Sequence, residues 1–147
     1  MKSNDLFTIG YEGKDIEVFI SNLKYFNIIR LIDVRETPLS RKKGFSKSGL
    51  QERLESENIE YVHIKSLGCP IEIRNKLKID LDYKYFFKAY SNYLKKNSKG
   101  IKEVNQYLNK GLNCIMCFER DYDKCHRSAV ADKVKKFGGN GLKIKHI

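Results

Sequence analysis

Short apolar runs alternate with longer amphipathic stretches along most of this chain. The apolar runs lie at residues 6–10, 28–34, 59–64 and 112–118, and a final segment at 142–147 alternates apolar and polar residues. Runs of roughly four to eight residues bounded by turn residues are typical of β-strands. The lysines of the final segment need water, so we place that strand near an edge of the sheet.

Five amphipathic helices are predicted between and after these strands. Asp15 suits the N-cap of the first helix, and Ser48 with Gln51 resembles a capping box at the start of the second. All five show the three- and four-residue spacing of apolar side chains that marks one buried helix face. Their apolar stripes cover residues 16–26, 50–54, 83–94, 101–108 and 129–137, and the last helix ends at Gly138 and Gly139.

Apolar strands joined by amphipathic helices predict the class of fold. Parallel strands covered by helices on both faces have continuous apolar sequences of this kind. A length of 147 residues fits one domain with a substantial core. We therefore expect a single three-layer α/β domain of Rossmann-like type, with a mostly parallel central sheet of about five strands flanked by helices.

One stretch, at residues 66–81, has no clear periodicity. It contains Gly68, Pro70 and mixed charges. We predict a loop over the edge of the sheet, with at most a short helical turn. Loops of this length in compact domains tend to be lids or binding segments.

The composition is strongly basic. Twenty-nine Lys and Arg residues against 18 Asp and Glu give a formal net charge of +11. This excess favours an anionic partner, either nucleic acid or a phosphorylated small molecule. The basic residues are scattered rather than gathered in one block, so a general compositional bias is an alternative explanation.

Hydropathy and cysteine content indicate the compartment. No apolar segment reaches the roughly eighteen residues that a membrane span requires, and residues 1–5 lead into a strand rather than a signal peptide. We therefore expect a cytoplasmic protein without membrane contact. Its four cysteines are then expected to be free thiols.

The densest group of reactive side chains surrounds the apolar run at 112–118. Glu119 follows this run, and Cys125, His126 and Arg127 stand at the start of the last helix. The first turn of a helix has unpaired N–H groups and the positive end of the dipole, so it attracts anions and favours a thiolate. These residues predict anion binding or acid–base chemistry, although Cys125 and His126 could equally be packing residues.

Two other strand ends carry functional side chains. Gly10, Tyr11 and Glu12 follow the first strand, and Asp33 and Arg35 follow the second. The carboxyl ends of parallel strands lie along one edge of the sheet, where ligands of such folds bind. As an alternative, Asp33 and Arg35 could form an ion pair that only holds the loop.

A basic segment at 40–45 follows directly after this second strand end. It begins with Ser40 and Arg41 and includes a glycine that gives it freedom to move. Runs of this kind are usually solvated, but its position beside the expected ligand edge favours contact with a phosphate.

Two other site chemistries are considered and rejected. Cys114, Cys117, Cys125 and His126 are four possible zinc ligands, but residues 114 and 117 of one strand point to opposite faces. Cys114 and Arg120 have the spacing of a phosphatase loop, but Cys114 lies early in an apolar strand without glycine. We therefore expect neither a metal nor another cofactor.

Several short motifs resemble those of a known family. They are Cys117-x-Glu119-x5-Cys125-His126-Arg127, Thr8-Ile9-Gly10-Tyr11, Asp33-Val34-Arg35-x-x-Pro38-x-Ser40, Tyr61-Val62-His63-Ile64 and Leu67-Gly68. In this order they resemble DUF488, a prokaryotic domain family of unknown function. Members usually have a second glycine after Leu-Gly, where this chain has Cys69 and Pro70. The resemblance implies an α/β fold and a shared pocket.

The working hypothesis is a small enzyme, or a former enzyme, with an anion-binding pocket at the carboxyl edge of the sheet. Its ligand would be a nucleotide, a nucleic-acid-derived molecule or another phosphorylated compound. The alternative is a basic nucleic-acid-binding module without catalysis. We expect Glu12, Arg35, Glu119 and His126 to share one pocket.

Each candidate site residue has an expected role. Arg35 and Arg127 would hold phosphate, Glu12 or Glu119 would act as acid or base, and His126 would relay a proton. The candidate catalytic residues are Glu12, Asp33, Glu119, Cys125 and His126, and the candidate binding residues are Gly10, Tyr11, Arg35, Ser40, Arg41 and Arg127.

Overall fold

Five parallel strands lie side by side in one sheet of the computed structural model, which describes residues 5–138 and 141–147. The strands are β1 (Asp5–Gly10), β2 (Arg30–Asp33), β3 (Glu60–His63), β4 (Asn113–Cys117) and β5 (Lys143–His146). Their order across the sheet is β3-β2-β4-β1-β5, and every neighbouring pair is parallel. The last strand pairs only with β1 among the described strands, so its predicted place at an edge is confirmed.

Six α-helices connect or follow the strands within the described residues. They are α1 (Ile16–Tyr25), α2 (Lys47–Ser56), α3 (Ile71–Asp80), α4 (Tyr83–Lys96), α5 (Lys99–Tyr107) and α6 (His126–Gly138). Three short 3-10 turns lie at Lys65–Leu67, Leu108–Lys110 and Tyr122–Lys124. Gly138 ends α6 as predicted, whereas Gly139 lies outside the described residues.

Helices cover both faces of the sheet, and each face has its own hydrophobic core. Along β4, Cys114 and Met116 belong to one core, whereas Ile115 and Cys117 belong to the other. Side chains of α1 and α2 complete the first core, and those of α3 to α6 pack into the second. This arrangement confirms the three-layer α/β fold and the prediction that Cys114 and Cys117 face opposite ways.

The predicted loop at residues 66–81 is wrong, because ten of these residues form α3. None of the residues of α3 is buried; only Ile73 and Leu77 pack partly against the core. The helix therefore lacks the continuous apolar stripe that would reveal it in the sequence. Leu81, in the left-handed conformation with φ 53°, follows its last turn.

One of the two predicted helix caps is confirmed. Asp15 caps α1, since its Oδ1 accepts the backbone N–H of Val18 at 2.8 Å. The capping box at Ser48 is wrong, because α2 begins at Lys47 with Ser46 as its N-cap residue, so Ser48 already lies inside the helix. The Ser46 hydroxyl instead bonds the backbone of Ser40 and fixes the preceding loop.

The strand order decides where a ligand site can form. It differs from the 3-2-1-4-5-6 order of dinucleotide-binding Rossmann folds, because β4 separates β1 from β2. The carboxyl end of β4 therefore lies between the carboxyl ends of those two strands. Within the described residues, no helix combines the length and the apolarity that a membrane crossing requires.

Candidate functional site

A cavity of about 710 Å³ opens at the carboxyl ends of β1, β2 and β4. Its walls come from the loops after these strands, from α3 and from the first turn of α6. Basic side chains outnumber acidic ones around it: the lining includes Arg35, Arg41, Arg74, Lys78 and Lys124 against Glu36 and Glu119. The cavity therefore has an excess of positive charge.

Arg35 borders the cavity and is anchored to Asp33. Its Nε lies 2.9 Å from Asp33 Oδ1, and its Nη2 lies 2.8 Å from Asp33 Oδ2. Nη1 donates to the Phe45 carbonyl oxygen at 2.7 Å and to the Tyr11 hydroxyl at 3.2 Å. Burial opposes the charge of Arg35, but the hydrogen bonds and the charge of Asp33 outweigh it and raise its pKa. Arg35 is thus a permanent cation with a fixed orientation.

Asp33 itself lies beneath the cavity rather than in its wall. The carboxylate is fully buried, and it accepts a hydrogen bond from the Tyr61 hydroxyl at 2.6 Å in addition to those from Arg35. These contacts leave it no path to a ligand in this arrangement. The ion-pair interpretation of Asp33 and Arg35 is therefore the one that the geometry supports.

Glu119 is the acidic side chain that β4 delivers to the cavity. It follows the buried end of the strand by two residues and is itself half-buried. Burial raises its pKa, and its own backbone N–H and the charge of Arg127 oppose that rise only in part. Glu119 therefore keeps a proton at higher pH than an exposed glutamate does, which suits a proton donor.

His126 borders the cavity as a neutral ring. Its Nε2 lies 2.7 Å from the Val34 carbonyl oxygen, and because a carbonyl only accepts, this nitrogen carries the proton. Burial lowers the pKa of His126 to about 4, so the ring is uncharged at neutral pH. Its Nδ1 then has a free lone pair, directed at the Cys125 sulfur 3.8 Å away.

Arg127 points away from the cavity, so it does not fit the expected phosphate-holding role. The side chain is 1% exposed and lies under the loop that joins β4 to α6. Nε donates to the Thr8 hydroxyl at 3.1 Å, Nη2 donates to the Arg120 carbonyl at 3.1 Å, and Nη1 donates to the Glu119 carbonyl. The first turn of α6 directs this side chain back towards β1, where it clamps the loop.

Glu12 and Gly10 also serve this loop. Glu12 is exposed and is not among the residues that border the cavity; its Oε1 accepts the backbone N–H of Arg120 at 3.0 Å. A Cβ at Gly10 would lie 1.7 Å from the Glu119 carbonyl oxygen, so glycine allows β1 to approach this loop rather than a ligand. Of the four residues expected to share a pocket, the structure brings together Arg35, Glu119 and His126.

The remaining predicted binding residues do border the cavity. Tyr11 stacks on Phe45 with ring centroids 4.5 Å apart, and its hydroxyl accepts the bond from Arg35. Ser40 and Arg41 border the cavity from the basic segment after β2. The Ser40 hydroxyl accepts the backbone N–H of Lys42 at 3.1 Å, which orders that segment.

The expectation of four free thiols is wrong for two of them. A disulfide bond joins Cys117, the last residue of β4, to Cys125, just before α6. Cys125 lies eight residues after Cys117, and the loop between them returns the chain to the strand end from which it left. Cys69 and Cys114 are free and buried, and burial raises the pKa of the Cys69 thiol to about 12.

Cys117, Glu119 and Cys125 also form a group whose ligand atoms lie within 4.8 Å of one another. Two thiolates and a carboxylate are ligand types that zinc accepts, but cysteine binds a metal as a thiolate. The disulfide bond removes both thiolates, so a metal would require the reduced pair. This set differs from the four zinc ligands that the sequence suggested, because Glu119 replaces Cys114 and His126.

Sequence reasoning missed the cations that α3 contributes. Arg74 and Lys78 border the cavity from the stretch that was predicted to be a loop. Arg74 Nη2 lies 3.5 Å from Glu36 Oε2, while its Nε is buried. Within residues 5–138 and 141–147, this Nε is the one buried side-chain polar atom without a hydrogen-bond partner. The signal in the sequence for these residues was the expected position of this stretch over the edge of the sheet, where lids and binding segments lie.

Comparison with known proteins identifies the family. The family model described as "Domain of unknown function DUF488" matches residues 15–134. The matched region contains the motifs around Arg35 and from Cys117 to Arg127, and it begins after the Thr8 to Tyr11 motif. Neither curated proteins nor solved structures gave a match. Because the matched region spans most of the 147 residues, the chain belongs to the DUF488 family.

Proposed function

We propose that this protein is a small enzyme that binds a phosphorylated ligand of nucleotide size in the cavity. The observation that carries the proposal is the buried Nε of Arg74, which has no partner within the described residues. Leaving a buried donor unpaired costs roughly 1–3 kcal/mol. A turn of the Arg74 side chain towards an anionic oxygen in the cavity would give this N–H an acceptor and remove the cost.

The surrounding charges support an anionic ligand. Arg41, Arg74, Lys78 and Lys124 come from three different segments, and they converge on one cavity without an equal number of carboxylates. Phosphate oxygens accept hydrogen bonds from several such donors at once. Arg35 contributes a further cation, although Asp33 neutralises it.

The apolar part of the wall supports a ligand with a flat ring. Leu39, Leu77, Phe86 and Phe118 border the same cavity as the cations. Leu39 is 71% exposed and Phe118 is 44% exposed, so both leave apolar surface open to a ligand. A phosphate for the cations and a base for the apolar wall together describe a nucleotide, and the volume lies in the roughly 300–1,000 Å³ range of small-molecule sites.

Glu119 is the group to which we assign the proton transfer. Burial raises its pKa, and it borders the same cavity as the cations that would hold the ligand. In this role it would donate a proton to the oxygen of a leaving group. His126 would position the neighbouring strand end through Val34 rather than relay the proton, since its Nε2–H is already engaged.

Ligand-dependent stabilisation tests the binding step. We expect a nucleoside mono-, di- or triphosphate to raise the Tm of the protein, because a ligand of the folded state stabilises it by mass action. Arg74→Gln should remove most of that shift while leaving the ligand-free Tm close to that of the parent. Lys102→Gln removes the same charge from an exposed position of α5 and serves as the matched control.

Two outcomes would contradict the proposal. One is the absence of a Tm shift with every nucleotide and with pyrophosphate. The other is an equal loss of the shift in Arg74→Gln and Lys102→Gln. A Glu119→Gln variant that binds the nucleotide but no longer turns it over would support the assigned proton transfer.

A further inference from the structure

A disulfide bond joins Cys117, in the wall of the cavity, to Cys125, which is not among the lining residues. Cys117 borders the cavity, although the surrounding atoms close both sulfurs to water. The phosphate-binding proposal makes no use of this pair. We propose that Cys117 and Cys125 form a redox-active dithiol–disulfide centre that exchanges with small thiols entering the cavity.

Both sulfur atoms receive hydrogen bonds from Arg127. Its Nη1 lies 3.1 Å from Cys117 Sγ, and its backbone nitrogen lies 3.4 Å from Cys125 Sγ in the first turn of α6. A guanidinium and a helix N-terminus both stabilise a thiolate relative to a thiol. These contacts therefore favour a reduced state in which one sulfur is charged.

Among the described residues, no carboxylate is hydrogen-bonded to Arg127. Its oxygen partners are the Thr8 hydroxyl and the backbone carbonyls of Glu119 and Arg120. Within the described part of the chain, Cys117 is thus the one side chain hydrogen-bonded to this guanidinium that can become an anion near neutral pH. A buried charge without a partner is costly, and a Cys117 thiolate would supply the partner that the disulfide does not.

His126 distinguishes the two sulfurs. Its Nδ1 carries a lone pair and lies 3.8 Å from Cys125 Sγ, whereas Cys117 Sγ lies against the guanidinium. In the reduced state Cys125 can therefore remain a thiol that donates to His126, while Cys117 is the thiolate. This division gives Cys117 the role of the exchanging sulfur and Cys125 that of the resolving thiol.

The exchange balances as a two-electron reaction. A small thiolate attacks Cys117 Sγ, a mixed disulfide forms, and the Cys117–Cys125 bond breaks with its electron pair on Cys125, which takes up a proton. A second small thiolate attacks the small-molecule sulfur of the mixed disulfide, so that a small disulfide leaves and Cys117 is released as a thiolate. Two small thiols are oxidised, the protein disulfide is reduced, and the second proton goes to solvent.

Reduction of the folded protein tests the proposal. The oxidised protein is incubated with dithiothreitol in native buffer, quenched with acid, unfolded and alkylated, and the number of modified cysteines is read by mass spectrometry. The unmodified chain should change from two alkylated cysteines to four, because Cys69 and Cys114 are free throughout. A Cys69→Ser/Cys114→Ser background, where it folds, should change from none to two.

The rate of reduction distinguishes a redox-active disulfide from one that only stabilises the fold. We expect the reduction rate to rise in proportion to dithiothreitol and to exceed the global unfolding rate measured in urea, and we expect oxidised glutathione to restore the bond. Reduction limited by unfolding would overturn the proposal. Stoichiometric zinc on the reduced pair, or a pair that glutathione does not reoxidise, would overturn it as well.

Alkylation of the reduced protein tests the charge on Cys117 directly. Iodoacetamide should modify Cys117 before Cys125, and its rate should stay high at pH values at which an ordinary thiol, with a pKa near ~8.5, reacts about tenfold more slowly for each unit of pH. A Cys117 rate with the pH profile of an ordinary thiol would contradict the pairing with Arg127.

Discussion

Two buried arginines show that the type of a residue does not determine which way its side chain points. The sequence assigned both Arg35 and Arg127 to phosphate. Asp33 lies two residues before Arg35 at the same strand end, so their ion pair was predictable from the sequence alone. The direction of Arg127 depends on how the first turn of α6 faces β1, which no local pattern specifies.

Replacement of Arg127 tests its role as a clamp. Arg127→Ala leaves the Glu119 and Arg120 carbonyls without their buried donor, so we expect the free energy of unfolding to fall by about 3 kcal/mol. Urea denaturation measures the change. Arg53→Ala is the control, because the ion pairs of Arg53 with Glu17 and Glu57 lie at the surface and their loss should matter little.

Unchanged stability would support the phosphate-binding role that the sequence suggested for Arg127. An Arg127→Ala protein with unchanged stability and no nucleotide binding would mean that the guanidinium serves the ligand rather than the loop. The clamp would then not be needed for folding.

His126 should make stability depend on pH. Its pKa is about 4 in the folded protein because the ring is buried, whereas an unfolded histidine has a pKa near ~6.5. The unfolded state therefore binds more protons between these values, and stability is full above pH ~6.5 and is lost as the pH falls towards 4. The loss amounts to about 3 kcal/mol for a difference of this size.

Comparison of two proteins isolates this contribution. His126→Gln can still donate to the Val34 carbonyl but does not titrate, so its stability should fall less between pH 6.5 and 4. Urea midpoints across this range measure the difference. Parallel pH profiles of parent and variant would show that His126 is not buried as a neutral ring.

At the scale of elements, the apolar pattern predicted the strands and helices that contribute buried residues to the core. It missed a helix that contributes none. All five strands and five of the six described α-helices follow from apolar runs or stripes. The exception, α3, has no buried residue, so nothing in its sequence distinguishes it from a loop. Arg74 and Lys78 were missed with it, and so was the unpaired donor that carries the functional proposal.

The disulfide was missed for a related reason. Sequence analysis identified Cys117 and Cys125 within one motif, but it treated one as a strand residue and the other as a helix-start residue. Their contact depends on the path of the loop between them, which the Arg127 clamp and the Glu12 contact to Arg120 fix. A contact that depends on the path of a loop leaves no periodic signal.

The packing of β1 against the loop after β4 can be tested at Gly10. Gly10→Ala places a Cβ against the Glu119 carbonyl, so the backbone must shift, and we expect a loss of roughly 1–3 kcal/mol and displacement of Glu119. Gly49→Ala is the control, because a Cβ at this position of α2 meets no atom within 4 Å. It should leave stability unchanged or raise it by up to about 1 kcal/mol.

Urea denaturation and nucleotide binding of both variants decide the point. A Gly10→Ala protein as stable as the parent would show that β1 and this loop are not in close contact. A stable Gly10→Ala protein that lost only ligand binding would instead support the expected approach of a ligand to this glycine.

At the scale of the whole molecule, the positive charge can serve either a ligand pocket or a general polyanion-binding surface. The net charge of +11 is spread over the chain, yet five cations meet at one cavity against two carboxylates. The strand order produces part of this convergence, because β4 lies next to β2 and the loops after these strands bring Lys124 to the same cavity as Arg35 and Arg41. The helix α3 adds Arg74 and Lys78. Neither the order nor the convergence follows from composition, so the sequence alone could not separate a pocket from a general polyanion-binding surface.

Salt dependence and paired variants separate these two uses. A binding surface for long nucleic acids releases counterions, so its affinity falls steeply with salt and responds to any exposed lysine. A pocket depends on particular donors, because a charge-assisted hydrogen bond to phosphate contributes more than an exposed charge at a distance. We therefore compare Arg74→Gln, inside the cavity, with Lys102→Gln/Lys143→Gln, two exposed positions outside it.

The two variants should affect the two ligands in opposite ways. Arg74→Gln should weaken nucleotide binding by about tenfold or more at fixed salt, since a hydrogen bond to a charged group contributes roughly 1.5–3 kcal/mol. It should change the affinity for a long single-stranded oligonucleotide only slightly. The double lysine variant should leave nucleotide binding unchanged and lower the salt dependence of oligonucleotide binding, because it removes two charges from the surface. If calorimetry instead shows equal losses from both variants on both ligands, the protein is a basic nucleic-acid-binding module and the cavity recognises nothing specific.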